Sequence, residues 1–232
     1  MLGEFLEISI STPDILASID FYQRLGFSQA SAGSTWKHPY AVMSDGRVYL
    51  GLHKYEFASP ALSFVLPDLR RHLSSFEARG IEFEFCKIGL DEFNEVGFRD
   101  PDGQMITLLE ARTYSPVHGT HVQPSLCGYF LEYRLGVRDV PGSAEFWEAM
   151  GFVAADQDED PTTYAQVSRN RINLGLLQAK RRIESSLVFA QSDLDLVTGL
   201  IESRDLDVKH VGEGLHLRAP EGTLLVLQPD EN

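Results

Sequence analysis

Apolar and polar residues follow two successive rhythms along "FLEISISTPDILASIDFYQRLGF", residues 5–27. The first has a period of two, as in a strand whose faces meet different surroundings. It predicts that Leu6, Ile8 and Ile10 pack on a helix and that Phe5, Glu7, Ser9 and Ser11 share the other face. From residue 15 the spacing lengthens, and Ile15, Leu16, Ile19, Tyr22 and Leu25 recur at helical intervals. Thr12 suits the N-cap, Pro13 the first helical position and Asp14 the positive end of the dipole, while Gly26 suits the left-handed residue that closes a helix.

Both rhythms return in "FLEYRLGVRDVPGSAEFWEAMGF", residues 130–152, without a gap at an offset of 125. Here Leu131, Tyr133, Leu135 and Val137 are predicted to face the helix, and Phe130, Glu132, Arg134 and Gly136 the other side. "YAVMSDGRVYLGL" (40–52) meets "YAQVSRNRINLGL" (164–176), and "FRDPDGQMITLL" (98–109) meets "LRAPEGTLLVLQ" (217–228). The offset falls to 119 in that last pair, so the second copy has lost about six residues from a loop, where losses are tolerated. Each half is itself double. Asp14, Asp68, Asp139 and Asp193 each end an apolar strand pattern and open an amphipathic segment that closes twelve positions later, at Gly26, Gly80, Gly151 and Asp205. Extended segments follow, one carrying the hairpin dipeptide Asp45-Gly46.

The prediction is an α+β chain of four units, each a strand, a helix and three strands. They make a first domain at 1–113 and a second at 128–232, joined by a linker at 114–127 within a stretch rich in Pro, Gly, Ser and Thr.

Composition narrows the function. With 34 acidic against 20 basic residues, a net charge of -14 argues against nucleic acid or an anionic membrane as partner and leaves neutral or cationic small molecules open. The N-terminus lacks a basic, then apolar, leader, and no apolar run reaches membrane-spanning length. Cys86 and Cys127 are too few for a disulfide framework and are read as reduced and structural. A cytoplasmic location is expected.

The two matched stretches, each with a strand-end Asp, a Ser four residues on, an aromatic pair and a closing Gly-Phe, resemble the vicinal oxygen chelate superfamily of glyoxalase I, extradiol dioxygenases and bleomycin-resistance proteins. "DPDG" at 100–103 and its degenerate copy "APEG" at 219–222 extend the likeness over nearly the whole chain outside the linker. The resemblance implies paired βαβββ modules curled into two cups with helices outside, and a divalent metal in the cup acting as Lewis acid on a substrate with vicinal oxygens.

Carrying the family's ligand positions onto this sequence gives Glu7, Gly51, Ala61 and Thr107 in the first half and Glu132, Gly175, Ser186 and Val226 in the second. Pairing modules between halves redistributes these residues but never collects more than one carboxylate, and a divalent site needs three or four converging donors. The expectation is therefore no metal and no other cofactor, with a divalent ion as the alternative. His118 and His121 have HxxH spacing but sit in the linker, and His38, His72, His210 and His216 read as ordinary surface or strand-end residues.

Glu7 and Glu132 remain as the acids of the cups. Each is either a hydrogen-bond acceptor for a ligand, a general base with a raised pKa, or simply paired within the fold, most readily Glu132 with Arg134. Ser9, Trp36, Tyr49, His53 and Arg134 are the candidate ligand-binding residues, Tyr40 adds to the aromatic wall, and Trp147 and Tyr22 belong to the core. His53 and the complete DPDG motif favour the first cup as the working one. The expected function is metal-free binding of a small organic molecule, of sequestering or resistance type, by a monomer or homodimer. The alternatives are a metal-independent lyase or isomerase using Glu7 or Glu132 as base, and a metal-dependent lyase or dioxygenase whose ligands lie elsewhere.

Overall fold

The computed structural model describes residues 1–31, 36–90, 92–111, 125–155, 162–181 and 183–230, and the linker histidines His118 and His121 lie outside them. The four-unit prediction is met. The first unit is β1 (Glu4–Ser11), α1 (Ile15–Arg24), β2 (Ser28–Ala30), β3 (Tyr40–Ser44) and β4 (Tyr49–His53). The second is β5 (Ala61–Val65), a 3₁₀ turn at Leu69–Arg71 leading into α2 (Leu73–Glu77), then β6 (Phe83–Lys87), β7 (Glu95–Arg99) and β8 (Met105–Leu109). The third comprises β9 (Tyr129–Val137), α3 (Val140–Ala149), β10 (Val153–Ala154), β11 (Tyr164–Arg169) and β12 (Ile172–Gln178). The fourth comprises β13 (Ser186–Gln191), α4 (Leu194–Glu202), β14 (Val208–Val211), β15 (Gly214–Arg218) and β16 (Leu224–Pro229). Gly26, Gly80, Gly151 and Asp205 all take positive φ, as the closing residue of a helical segment does.

Units pair within each half. One eight-stranded sheet runs β2-β3-β4-β1-β5-β8-β7-β6, and the other runs β10-β11-β12-β9-β13-β16-β15-β14. At each centre two first strands meet antiparallel, β1 with β5 and β9 with β13, which settles a pairing that the sequence left open.

Local geometry departs from the sequence reading in three places. The register of β1 on β5 passes from Phe5↔Phe64 to Glu7↔Ser63, so a bulge at Leu6 reverses the side-chain parity upstream of it. Phe5 therefore joins Ile8 and Ile10 in the core, and Leu6 packs on the other face with Val65, Leu109 and Trp36. The second sheet does the same around Leu131, which leaves Phe130 in the core edge-on to Phe189. Glu7 and Glu132 lie beyond the bulges and keep their predicted face. The second departure is the cap of α1, which is Asp14 rather than Thr12: its carboxylate accepts the N–H groups of Leu16 and Ala17, a charge-assisted cap that a hydroxyl cannot match. Thr12 instead shares a hydrogen bond with Ser18. Third, Cys86 is exposed on β6 rather than structural; both cysteines are free, and burial pushes the Cys127 thiol up to about 12.

The halves share one core and lock reciprocally. Phe27, just after α1, packs edge-on against Phe189 of the second sheet, and Phe152, just after α3, packs the same way against Phe64 of the first. The acid of each DPDG-type turn then reaches the first helix of the opposite half. Asp102 accepts from Ser143 at 2.6 Å and from the Arg138 backbone at 2.9 Å, while Glu221 accepts from Ser18 at 2.7 Å and Tyr22 at 2.8 Å. The motif Ser, four residues beyond the strand-end Asp, thus docks the other domain. Burial and the Glu221 charge hold the Tyr22 hydroxyl far above its usual pKa. Removing the Glu221 carboxylate takes the acceptor from the Ser18 and Tyr22 hydroxyls, which keep only Thr12 and Thr223 beside them. Glu221→Ala is expected to lower urea-unfolding stability by about 1–3 kcal/mol. Glu84→Ala, which breaks the exposed ion pair with Arg99, should cost under about 1 kcal/mol in the same titration.

Candidate functional site

The first cup is built around a carboxylate with no solvent contact: Glu7 is 0% exposed. A charge in such a place is stable only when its lone pairs are satisfied. Ser9 donates to Oε1 at 2.8 Å, His53 Nε2 lies 3.0 Å from the same oxygen, and the Tyr40 hydroxyl donates to Oε2. Ser63, opposite Glu7 across the sheet centre, shares a hydrogen bond with Ser9 at 2.7 Å. Burial first, and then the Glu7 charge, raise the Tyr40 pKa, so its hydroxyl stays a donor.

His53 carries the network outward, because its Nδ1 lies 3.0 Å from Nε2 of His38. Where His53 donates to Glu7 from Nε2 as a neutral imidazole, its Nδ1 accepts from Nε2–H of His38. No hydrogen bond to His38 Nδ1 occurs among the described residues. Burial, and next the neighbouring His53, lower the His38 pKa against a weaker opposing pull from Glu95, which favours neutral imidazole at pH 7. Around these rings stand aromatics: Trp36 meets His38, Tyr40, His53 and Phe93, Tyr55 stacks on His38 with ring centroids 5.2 Å apart, and Phe57 meets His53 edge-on. Tyr55 is 57% exposed and Phe93 38%, so the wall begins at buried Glu7 and ends at the surface.

The second cup repeats the acid without the relay. Glu132, 1% exposed, accepts from Arg134 Nε at 2.7 Å, from Gln166 at 3.1 Å and from the Tyr164 hydroxyl. Arg134 also reaches Gln228 at 3.4 Å. Leu177 stands in the repeat position of His53, so no imidazole chain leads out.

Glycines explain how the acids fit. A Cβ built on Gly51 would collide with both carboxylate oxygens of Glu7, and one on Gly175 would collide with those of Glu132. In each cup, therefore, the acid's carboxylate fills the space beside a position at which the family would place a metal ligand. Ala61, Thr107, Ser186 and Val226 supply no charged or imidazole donor at the others. No group of three or more His, Cys, Asp or Glu side chains that could hold a metal occurs among the described residues. The donor set does not fit a divalent ion at these positions.

Of the sequence-predicted site residues, the first cup brings together Glu7, Ser9, Trp36 and His53. Tyr49 is buried on the strand face of Gly51 and His53. Arg134 is paired with Glu132. Sequence reasoning treated His38 as a surface residue and did not assign Tyr164 or Gln166 to a site. Tyr40 and Tyr164 occupy the same repeat position, and each donates to its cup's glutamate; a tyrosine kept at one position in both copies was the available signal.

The sequence matches no protein-family model and no curated protein. Solved structures do match. A variant of homoprotocatechuate 2,3-dioxygenase from Brevibacterium fuscum, in complex with HPCA, superposes with a TM-score of 0.67 at 16% identity, over 100% of this chain and 72% of that one. A Mn(II)-bound glyoxalase from Novosphingobium aromaticivorans gives 0.64 at 13% identity, over 97% of this chain and 81% of that one. This chain has the tandem two-domain fold of the vicinal oxygen chelate superfamily. At such identities the likeness establishes the vicinal oxygen chelate fold alone, and the site must be judged on its own residues.

If the glycine gap exists to hold the acid, the pair is coupled. Gly51→Ala should destabilise by about 1–3 kcal/mol through overpacking. Combined with Glu7→Ala, its cost should be much smaller, so that the double mutant is more stable than the sum of the single changes requires. Urea unfolding of the four proteins measures this.

Proposed function

We propose that the protein binds a small planar organic molecule with an acidic hydroxyl, a phenol or catechol, at the mouth of the first cup and without a divalent metal. The observation that carries this reading is the chain Glu7–His53–His38, which ends in an imidazole lone pair among exposed aromatic rings. The rings offer stacking surface, and His38 Nδ1 offers an acceptor for the hydroxyl. Glu7 does not touch the ligand; it orients His53 and stabilises positive charge that a proton on His38 would bring. A neutral phenol also suits a protein with net charge -14. The dioxygenase of similar fold is named for a catechol-type compound, which fits the class of ligand but carries no weight for the chemistry.

Fluorescence reads the binding directly, because the chain has two tryptophans and Trp147 is fully buried. Titration with catechol and 2-naphthol is expected to quench the emission of the wild type, and Trp36→Phe should abolish the response. His38→Gln should weaken affinity by about tenfold, the loss of one good hydrogen bond. Unchanged affinity in His38→Gln, or a quenching response that persists in Trp36→Phe, would sink the proposal. The sign of the pH dependence follows from His38. Its pKa lies below the ordinary 6.5, so affinity should be flat above neutrality and fall as the pH drops through the depressed range and the lone pair is lost. His53, Glu7, Glu95 and the stacked Tyr55 are the other ionisable groups around it, and His38→Gln should remove the pH-dependent step.

The same relay favours a second reading, metal-independent proton transfer of lyase or isomerase type, with His38 in place of either glutamate as the base. An aryl α-hydroxy ketone incubated with the protein in D₂O separates the two. Deuterium uptake that vanishes in His38→Gln marks catalysis, and binding without exchange marks sequestration.

A further inference from the structure

The second cup differs from the first in what it leaves open. Around Glu7 the floor is sealed, with Ser9, His53 and Ser63 all buried. Around Glu132 exposure alternates along the strands. On β16, Leu225 and Leu227 lie in the core, whereas Leu224, Val226 and Gln228 are partly exposed, and on β15 His216 is partly exposed between buried Leu215 and Leu217. Solvent therefore reaches this face of the second sheet.

Arg134 stands on that face, at the repeat position of Ser9. The serine satisfies its acid with one hydroxyl, but a guanidinium brings more donors than the acid can use. Glu132 accepts from Nε at 2.7 Å and Gln228 from Nη2 at 3.4 Å, and Nη1 has no partner among the described residues. The side chain is 24% exposed, and none of its nitrogens is both buried and unpartnered. Its outer edge is thus accessible. That edge is also fixed in direction. Glu132 is 1% exposed, Gly175 leaves its carboxylate the space it fills, and Tyr164 and Gln166 donate to the oxygen that Arg134 does not use. A planar cation held by its inner edge on an immobile acid presents its outer edge in one orientation, and that edge matches a carboxylate with two parallel hydrogen bonds.

We infer that the second cup binds a small organic carboxylate, held by the Nη1–Nη2 edge of Arg134. Gln228, whose Oε1 accepts from Arg134, keeps its amide N–H groups for the same anion. Tyr164 and Leu177, opposite each other on β11 and β12, and Val226 on β16 supply apolar surface for the organic part. Local charge does not oppose the anion: Glu132 and Glu184 are each paired with an arginine, and Lys209 stands opposite His216 at the edge of the sheet. The net charge of -14 acts on a polyanion over a long range, but at physiological salt such fields decay within about 8 Å, whereas the guanidinium acts at contact. The Glu7 relay takes no part.

Isothermal titration calorimetry of the full chain with benzoate, and with benzamide as its uncharged analogue, tests this. Benzoate should bind the wild type, and benzamide should bind at least about tenfold more weakly. Arg134→Lys keeps a positive charge beside Glu132 but loses the planar edge, and should weaken benzoate by about tenfold or more. Leu177→Asp sets a like charge at a partly exposed position of the same face and should also remove binding. If Arg134→Lys fails to fold by circular dichroism, the Leu177→Asp result decides. No detectable binding of benzoate, equal binding of benzamide, or unchanged affinity in either folded variant would each overturn the inference. His38→Gln should bind benzoate as the wild type does; a loss there would put the carboxylate in the first cup and overturn its assignment to the second.

Discussion

A carboxylate kept away from water must have its hydrogen bonds supplied by the fold, and that requirement organises the first cup. Glu7 needs donors, so Ser9, Tyr40 and His53 are arranged around it; His53 needs its outer nitrogen satisfied, so His38 stands beyond it. The acid also needs volume, and Gly51 provides it by having no side chain. A metal in such a cup would neutralise ligand charge from the centre outward. Here the polarity runs the other way: a central carboxyl group gathers donors, and its hydrogen bonding continues outward through two imidazoles.

The two halves answer the same electrostatic problem differently. Around Glu132 the fold places Arg134, an internal counter-charge. Around Glu7 it places an imidazole, whose second nitrogen passes the hydrogen bonding onward. Duplication supplied two copies of one cup, and the group that meets the acid is where they differ: a guanidinium in one and a chain of two imidazoles in the other.

The repeat made most of the architecture legible. Strand and helix periodicities, with the left-handed closing residues, located four units; the acids and the glycines at the ligand positions were readable by counting. Two kinds of feature were not. The bulges at Leu6 and Leu131 reverse side-chain parity by adding one unpaired residue, and no local composition marks them, because Phe and Leu fit either face. The role of His38 depends on the pairing of β3 with β4, which sets Tyr40 opposite His53 and brings the residue two before it onto the same ring, a register that composition does not show. Tyr40 and Tyr164 were legible in principle, as one residue type kept at the same repeat position in both copies.

The same comparison of copies bears on the interface. Where the halves match, as with Ser18 and Ser143 or Phe27 and Phe152, the residues serve the shared core and the reciprocal lock, which a pseudo-two-fold arrangement needs on both sides. Where they differ, the fold does not need the difference. Asp100 against Ala219 is such a case: the backbone bonds of the two turns are alike, and the Asp100 carboxylate adds acceptance from the Asp102 and Gln104 amides, which the other turn does without. The asymmetry of a duplicated fold thereby separates residues that both halves need from residues that one half carries alone.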